Sequence, residues 1–558
     1  MAAALRFYID APFEFAAKQT GASTDDLKLI GSFLLSYPLA AILKRLPDSQ
    51  PWKKNVFIIA VSLFYIIGLY ELWDGLRTIL YSSVATYLIA YYIDGSLMPW
   101  IGFFFLMGHM SVSHIYRQIA DDVTVVDITG PQMVLVMKLS AFCWNIYDGR
   151  QPQDQLSDAQ KYAAIREFPS VLDYAGYVLF FPSLFAGPAF DYVDYRRWID
   201  TTLFDVPPGT DPSKVPPTRK KRRIPRSGRP AIKKLVLGLL WIVAFLKLGS
   251  LYTSETVLSD EYLTYSLPRR IWQLYLMGLG TRLKYYGAWA LTEGACILSG
   301  LGYNGFDPKT GKVYWDRLEN VNPWGLETAQ NTRGYIDNWN KNTNHWLRNY
   351  IYLRVTPKGK KPGFRASLAT FGTSAFWHGF YPGYYLTFVL ASLVQTVAKN
   401  FRRYVRPFFL TPDGSKPTSA KPYYDIASWL ATQSVMSFTV APFIILSFND
   451  TLKVWSRVYF YGFVAVLSSM VVFASPAKGY LIARLKKRNR PPLAARAITA
   501  DHLPMLGLPS DPGQEVEDAI KEITEEIEDM RKKGMPVTIP SKEELRALVE
   551  QNTGKKLG

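Results

Sequence analysis

Cysteine is nearly absent from this sequence of 558 residues: Cys143 and Cys296 are the only two, and both lie in apolar segments. That excludes a disulfide framework and a Cys-based metal site. Histidine is almost as scarce, with only His109, His114, His345, His378 and His502. His109 and His114 are five apart, about 140° around a helix, so they form no i, i+4 metal pair. HExxH, GxSxG and the Walker glycine loop are all missing. So is the HxxxxD pair of soluble-type glycerolipid acyltransferases, since Asp121 and Asp122 follow His114 at the wrong spacing. Metal hydrolysis, serine-triad chemistry and nucleotide hydrolysis fall away.

Charge is missing over long stretches. Arg365 and Lys399 bracket 33 residues without Asp, Glu, Lys or Arg. Apolar runs of about 18 residues or more read as membrane spans. The sequence therefore predicts an all-α, polytopic membrane protein of about ten transmembrane helices. Candidate spans lie near 28–44, 54–73, 78–96, 98–115, 131–147, 171–187, 233–251, 271–300, 366–398, 425–448 and 453–475. Several are short or carry breakers such as Pro182, Gly187 and Pro188. Broken helices suit a protein that encloses a buried chamber, because irregular backbone at depth must be buried or face water. No internal repeat stands out, which weakens an inverted-repeat transporter. The first 27 residues carry Asp10, Glu14, Asp25 and Asp26 and show no cleavable signal pattern.

The net charge is +18, and residues 477–558, with 15 basic and 13 acidic side chains, contribute only +2 of it. The rest collects in loops, most densely between Lys214 and Lys234, where ten Lys and Arg occur without an acid. Basic loops beside spans mark the cytosolic side and attract anionic lipid, so this charge does not point to nucleic acid. The chain divides into an N-terminal juxtamembrane segment, 1–27, a membrane domain, 28–476, with a basic loop at 201–232, and a charged cytosolic tail, 477–558. In the tail, Val516, Ile520, Ile523, Ile527 and Met530 space out as one face of an amphipathic helix. The Asn449-Asp450-Thr451 sequon is expected in a luminal turn between the last two spans, which agrees with a cytosolic C-terminus. Lys555-Lys556-Leu557-Gly558 has the form of a di-lysine retrieval signal of the endoplasmic reticulum.

Three polar groupings can carry chemistry. His378 sits in the charge-free run, within Ser374-Ala-Phe-Trp-His-Gly-Phe-Tyr-Pro-Gly383. A His at membrane depth is costly unless it has partners or faces a cavity, and its neutral form is the one a general base needs. The second is Asp337-Asn-Trp-Asn-Lys-Asn-Thr-Asn-His-Trp346, followed by Arg348 and Arg354. Carboxamides donate and accept without bringing charge, which suits positioning a hydroxyl or stabilising a thioester oxygen. The third is Arg282-Leu-Lys-Tyr-Tyr-Gly-Ala-Trp289 with Glu293, which also fits snorkelling cations and an aromatic belt.

Two of these stretches, Trp339-Asn340-x-x-Thr343-x-x-Trp346-Leu347 and Trp377-His378-Gly379-x-x-Pro382-Gly383-Tyr384, resemble the paired motifs of the membrane-bound O-acyltransferases. They match the lysophospholipid acyltransferase branch, and the insertion near 201–230 and the charged tail look most like its broad-specificity fungal members. The resemblance covers roughly residues 30–475. It includes Asp127-Ile-Thr-Gly-Pro131, the Phe181-Pro182 to Gly187-Pro188 segment, and Arg282-x-Lys284-Tyr285-Tyr286-x-x-Trp289. Gly334-Tyr-Ile-Asp-Asn-Trp-Asn340 lacks the first Phe and first Trp of the element used by the sterol and diacylglycerol branch.

The resemblance implies acyl transfer from acyl-CoA, a co-substrate, to the free hydroxyl, mainly sn-2, of a lysophospholipid, without metal or other cofactor. It implies His378 as the catalytic histidine and Asn340 as its partner. Asn342, Thr343, Trp346, Tyr285, Tyr286, Trp289 and Trp377 are expected at the substrates, and Arg348, Arg354, Lys358, Lys360 and Lys361 at the CoA phosphates. The expected partners are these substrates and membrane lipids, in the endoplasmic reticulum membrane, and a homo-oligomer is left open. The rivals are another hydroxyl acceptor, such as a sterol or diacylglycerol, and, from a different class, a lipid transporter or scramblase.

Overall fold

The computed structural model describes residues 2–20, 22–120, 127–219, 222–356 and 363–488. Among these the regular structure is helical, with three isolated β-bridges. His502, the amphipathic helix expected around 516–530 and the Lys555-Lys556 ending lie outside the described residues. The chain forms two compact units. One comprises Met1–Trp346, Ala375–Thr387 and Asp425–Phe463, the other Leu347–Ser374, Phe388–Tyr424 and Val464–Gly558.

The expected ten spans are not met. Among the described residues three helices are long and apolar enough to cross a bilayer, Thr24–Leu43, Pro51–Leu69 and Lys421–Ile445. A fourth crossing arises if Phe448–Arg457 and Tyr461–Ala474, bent by 78° at their junction, count as one. The shortfall has a physical source. Other helices of spanning length carry polar groups into the protein interior, which lowers their apolarity. The helix Thr129–Gly149 buries Gln132, Lys138, Asn145 and Asp148, and Leu267–Ser299 buries Gln273, Arg282 and Glu293. Lys138 shows how such a group is tolerated: its ammonium donates to the Tyr177 carbonyl at 2.6 Å and lies 4.5 Å from the Tyr177 and Phe190 ring centres. The sequon is also placed differently. Asn449-Asp450-Thr451 opens the helix Phe448–Arg457, capped by Ser447, instead of forming a turn.

In the first unit, small residues set how closely the helices approach. Gly228–Leu248 lies against Leu267–Ser299, where a Cβ on Gly238 would stand 2.8 Å from Leu291 and one on Gly287 would stand 2.5 Å from Ile242. Met98–Ala120 meets Thr129–Gly149 at Gly102, whose added Cβ would fall 2.6 Å from the Cys143 Sγ. Thr129–Gly149 is thereby enclosed and buried along most of its length, which makes it a rigid support for what packs on it. In the second unit, Arg488 ties the helix Pro476–Arg488 to the carbonyls of Pro407, Phe408 and Leu410.

Candidate active site

The asparagine-rich segment breaks into two short helices, Thr332–Asp337 and Lys341–Leu347. Between them Asn340 takes φ +43°, the left-handed region that Asn tolerates better than most side chains. Its neighbours hold it there. Lys341 N donates to the Asn320 carbonyl at 2.9 Å, while Asn342 donates from its backbone N and its Nδ2 to the Asn320 Oδ1 at 3.2 and 2.9 Å. The Lys341 ammonium pairs with Glu319, which also lies 3.8 Å from Lys234, itself 2.8 Å from the buried Glu293. Asn344 donates to the carbonyls of Ile336 and Trp339 at 2.9 and 2.8 Å. The Thr343 hydroxyl donates to the Asn340 Oδ1 at 2.8 Å, which leaves the amide NH₂ of Asn340 as the end available to donate to a ligand.

His378 ends the helix Phe364–His378. Gly379 follows with φ +115°, a conformation open to glycine, and the chain reverses into the helix Pro382–Asn400. Gly383 is pressed on Pro442, where an added Cβ would fall 2.0 Å from the carbonyl oxygen. The His378 ring is bounded by Trp377, Phe443 and Tyr384, with centroids at 4.7, 4.8 and 5.6 Å. The buried His114 supports this turn from Met98–Ala120: its Nε2 is 3.1 Å from the Trp377 carbonyl, and a Cβ on Gly379 would stand 2.9 Å from its Nδ1.

One face of Thr129–Gly149 receives both segments. The Met133 carbonyl accepts from Trp377 Nε1 at 3.0 Å and the Ser140 hydroxyl from Trp346 Nε1 at 2.9 Å, and the Met137 sulfur lies 3.3 Å from the Thr343 hydroxyl oxygen, whose proton goes to Asn340. Positions 133, 137 and 140 follow the i, i+4, i+7 spacing of one helix face. The Trp346 and Trp377 rings meet above it, 6.1 Å between centroids.

The third grouping joins at Trp339. Its ring lies 5.6, 6.2 and 5.0 Å from those of Tyr285, Tyr286 and Trp289. Arg282 does not snorkel. It is buried and makes two hydrogen bonds of 2.8 and 2.9 Å to Glu327, which also accepts from Tyr286 at 2.7 Å and Tyr275 at 3.1 Å. Its charge is therefore spent inside the protein.

Of the residues expected at the site, His378, Asn340, Asn342, Thr343, Trp346, Trp377, Tyr285, Tyr286 and Trp289 fall in the first unit. Arg348 and Arg354 belong to the second, where Arg354 donates to the Asn349 carbonyl at 3.2 Å. Lys358, Lys360 and Lys361 lie outside the described residues. His114, Asn320 and Glu327 were not singled out in the sequence. His114 alone had a signal, a histidine in an apolar stretch, which the metal-pair test passed over.

The sequence model of the membrane-bound O-acyltransferase family matches residues 114–441, more than half of the chain, with Asn340 and His378 inside the match. The chain is similar to a lysophospholipid acyltransferase of Schizosaccharomyces pombe, 44% identical over 87% of this chain and 93% of the relative. It is 43% identical to one of Saccharomyces cerevisiae over 84% of this chain and 77% of the relative. A human membrane-bound glycerophospholipid O-acyltransferase 1 is 32% identical over 67% of this chain and 74% of its own length. The chain belongs to the membrane-bound O-acyltransferase family and is an O-acyltransferase.

Proposed function

We propose that this O-acyltransferase moves an acyl chain from acyl-CoA to the free hydroxyl, mainly sn-2, of a lysophospholipid, in a chamber closed off from water. The reading draws on relatives named for lysophospholipid acylation. The observation that carries it is the single face of Thr129–Gly149 that seats Thr343, Trp346 and Trp377, the residues on which Asn340 and His378 depend.

In this mechanism a ring nitrogen of His378 takes the hydroxyl proton as the oxygen attacks the thioester carbonyl, a role typically worth about 10²–10⁴ in rate. The Asn340 NH₂, oriented by Thr343, donates to the developing oxyanion or holds the incoming hydroxyl. The carbon–sulfur bond then breaks, the imidazolium returns its proton to the CoA thiolate, and the ester leaves. Excluding water protects the thioester from hydrolysis. Tyr285, Tyr286 and Trp289 line the substrate route, and Asn342 and Trp346 hold the segment. Arg348, Arg354, Lys358, Lys360 and Lys361 take the CoA phosphates at a cytosolic mouth, and the lysolipid enters from the bilayer of the endoplasmic reticulum.

The test is esterification by purified protein in lipid nanodiscs, offered acyl-CoA with lysophospholipids, sterol, diacylglycerol and fatty alcohol, beside His378→Ala. CoA release with an esterified lysophospholipid, lost in the variant, is expected. A different acceptor would correct the substrate, and no CoA release from well-folded protein would turn the reading toward lipid transport.

A further inference from the structure

Away from His378, positive charge gathers just past the end of Thr24–Leu43. An open, surface-facing pocket of about 760 Å³ there is lined by Ser49, Thr201 and Thr218, by Arg219, Arg222 and Arg223, and by Asp48 and Asp200.

Both acids are already engaged. Asp48 pairs with the buried Lys54 at 2.8 Å and accepts from Arg223 N at 3.4 Å, and Asp200 pairs with Arg196 at 2.7 Å. Lys54, Arg196 and Arg223 are paired with carboxylates, whereas Lys44, Arg45 and Arg222 are satisfied by neutral oxygens. Arg222 donates to the carbonyls of Leu46 and Arg45 at 3.1 and 2.7 Å, Arg45 to that of Ala41 at 2.7 Å, and Lys44 to the Ser227 hydroxyl at 2.7 Å. A carbonyl meets a donor's hydrogen-bonding need but returns no charge. In the lining itself Arg219, Arg222 and Arg223 outnumber Asp48 and Asp200, and both acids are already paired. Lys44, one residue beyond Leu43, has its ammonium pushed down to about 8, chiefly by burial and further by Arg219 and Arg45.

We propose that this pocket binds a phosphate monoester borne on a sugar-sized polar group, with the phosphate on Arg219 and Arg223 and the hydroxyls on Ser49, Thr201 and Thr218. The volume is far larger than a bare phosphate needs and lies in the range of about 300–1,000 Å³ of small-molecule sites. Position beside a span makes a phosphorylated lipid headgroup one source of this chemistry, and a soluble phosphorylated nucleoside is the other. The inference stands independently of the acyl-transfer mechanism.

Full-length protein in phosphatidylcholine nanodiscs tests it, alone and doped with phosphatidylinositol phosphate or phosphatidic acid, with adenosine bisphosphate titrated as the soluble probe. Retained lipid is read by mass spectrometry and nucleotide binding by thermal shift. The lipid arm or the nucleotide arm should show binding that falls about tenfold in Arg219→Gln/Arg223→Gln, equivalent to about 1.4 kcal/mol. Both side chains are exposed, so this variant spares the Arg222 contacts that hold the loop. Asp205→Asn, which releases Arg223 from its 3.2 Å partner, should strengthen binding. Absence of binding in both arms, or binding unchanged in the double variant, would overturn the proposal. Equal retention of phosphatidic acid would overturn its sugar-sized component.

Discussion

Trp346 and Trp377 stand 31 positions apart in the sequence, yet their rings lie 6.1 Å apart, each with its indole nitrogen hydrogen-bonded to the same helix, Thr129–Gly149. Each tryptophan belongs to one of the two motifs, so the pair fixes where the segments of Asn340 and His378 lie relative to that helix. Buried aromatic pairs are worth about 0.5–1.5 kcal/mol beyond their burial. A double-mutant cycle of Trp346→Leu and Trp377→Leu, read by thermal unfolding in detergent, should return a coupling of about that size. A coupling near zero would mean that the helix positions the two segments independently.

Gly379→Ala leaves both proposed reactive side chains chemically unchanged. It forces a Cβ into a φ of +115° and to within 2.9 Å of His114, so the turn after His378 must shift. Misplacing a reacting group by about 1 Å can cost about a hundredfold in rate. Turnover should fall by roughly that much while the Michaelis constants change little. Wild-type turnover from Gly379→Ala would remove the turn from the mechanism.

Glu327 is the shared acceptor for Arg282, Tyr286 and Tyr275. Glu327→Gln removes the carboxylate and leaves the buried guanidinium uncompensated, at a cost of about 3–5 kcal/mol. Arg282→Met/Glu327→Gln should recover much of that stability, because it removes the orphaned charge as well. Melting temperatures of the three proteins check the order. A double variant no more stable than Glu327→Gln would show that the tyrosines, not the charge pair, dominate.

The candidate residues stood out in the sequence because each breaks a local pattern: His378 interrupts a charge-free run, and four asparagines crowd one short segment. Their supports did not. His114 reaches the Trp377 carbonyl across 263 positions and Glu327 meets Arg282 across 45, and no local periodicity encodes such pairings. The same limit explains the spans. Hydropathy marks where apolar residues concentrate, but it cannot separate a helix facing lipid from one facing protein, so Thr129–Gly149 and Leu267–Ser299 were read alongside Thr24–Leu43. Their buried Lys138 and Arg282 were visible as charges, while their partners became apparent only in the fold.

Asn340 offers a substitution pair that separates backbone from chemistry. At φ +43° a residue with a Cβ and no compensating polar side chain is strained by roughly 1–2 kcal/mol, whereas glycine is not. Asn340→Ala and Asn340→Gly both delete the amide and the bond from Thr343, so on the proposed mechanism both should lose about 10²–10³ in turnover, as when an oxyanion donor is removed. Their stabilities should differ, with Ala below Gly by roughly the left-handed strain. Asn320→Ala acts from the other side: it removes the side-chain acceptor of Asn342 and should lower turnover in part, with lysolipid binding retained. Steady-state kinetics and thermal melts on the three variants distinguish the cases. If Asn340→Gly kept wild-type turnover while Asn340→Ala lost it, the residue would matter for its backbone alone, and the oxyanion or hydroxyl contact would pass to another donor.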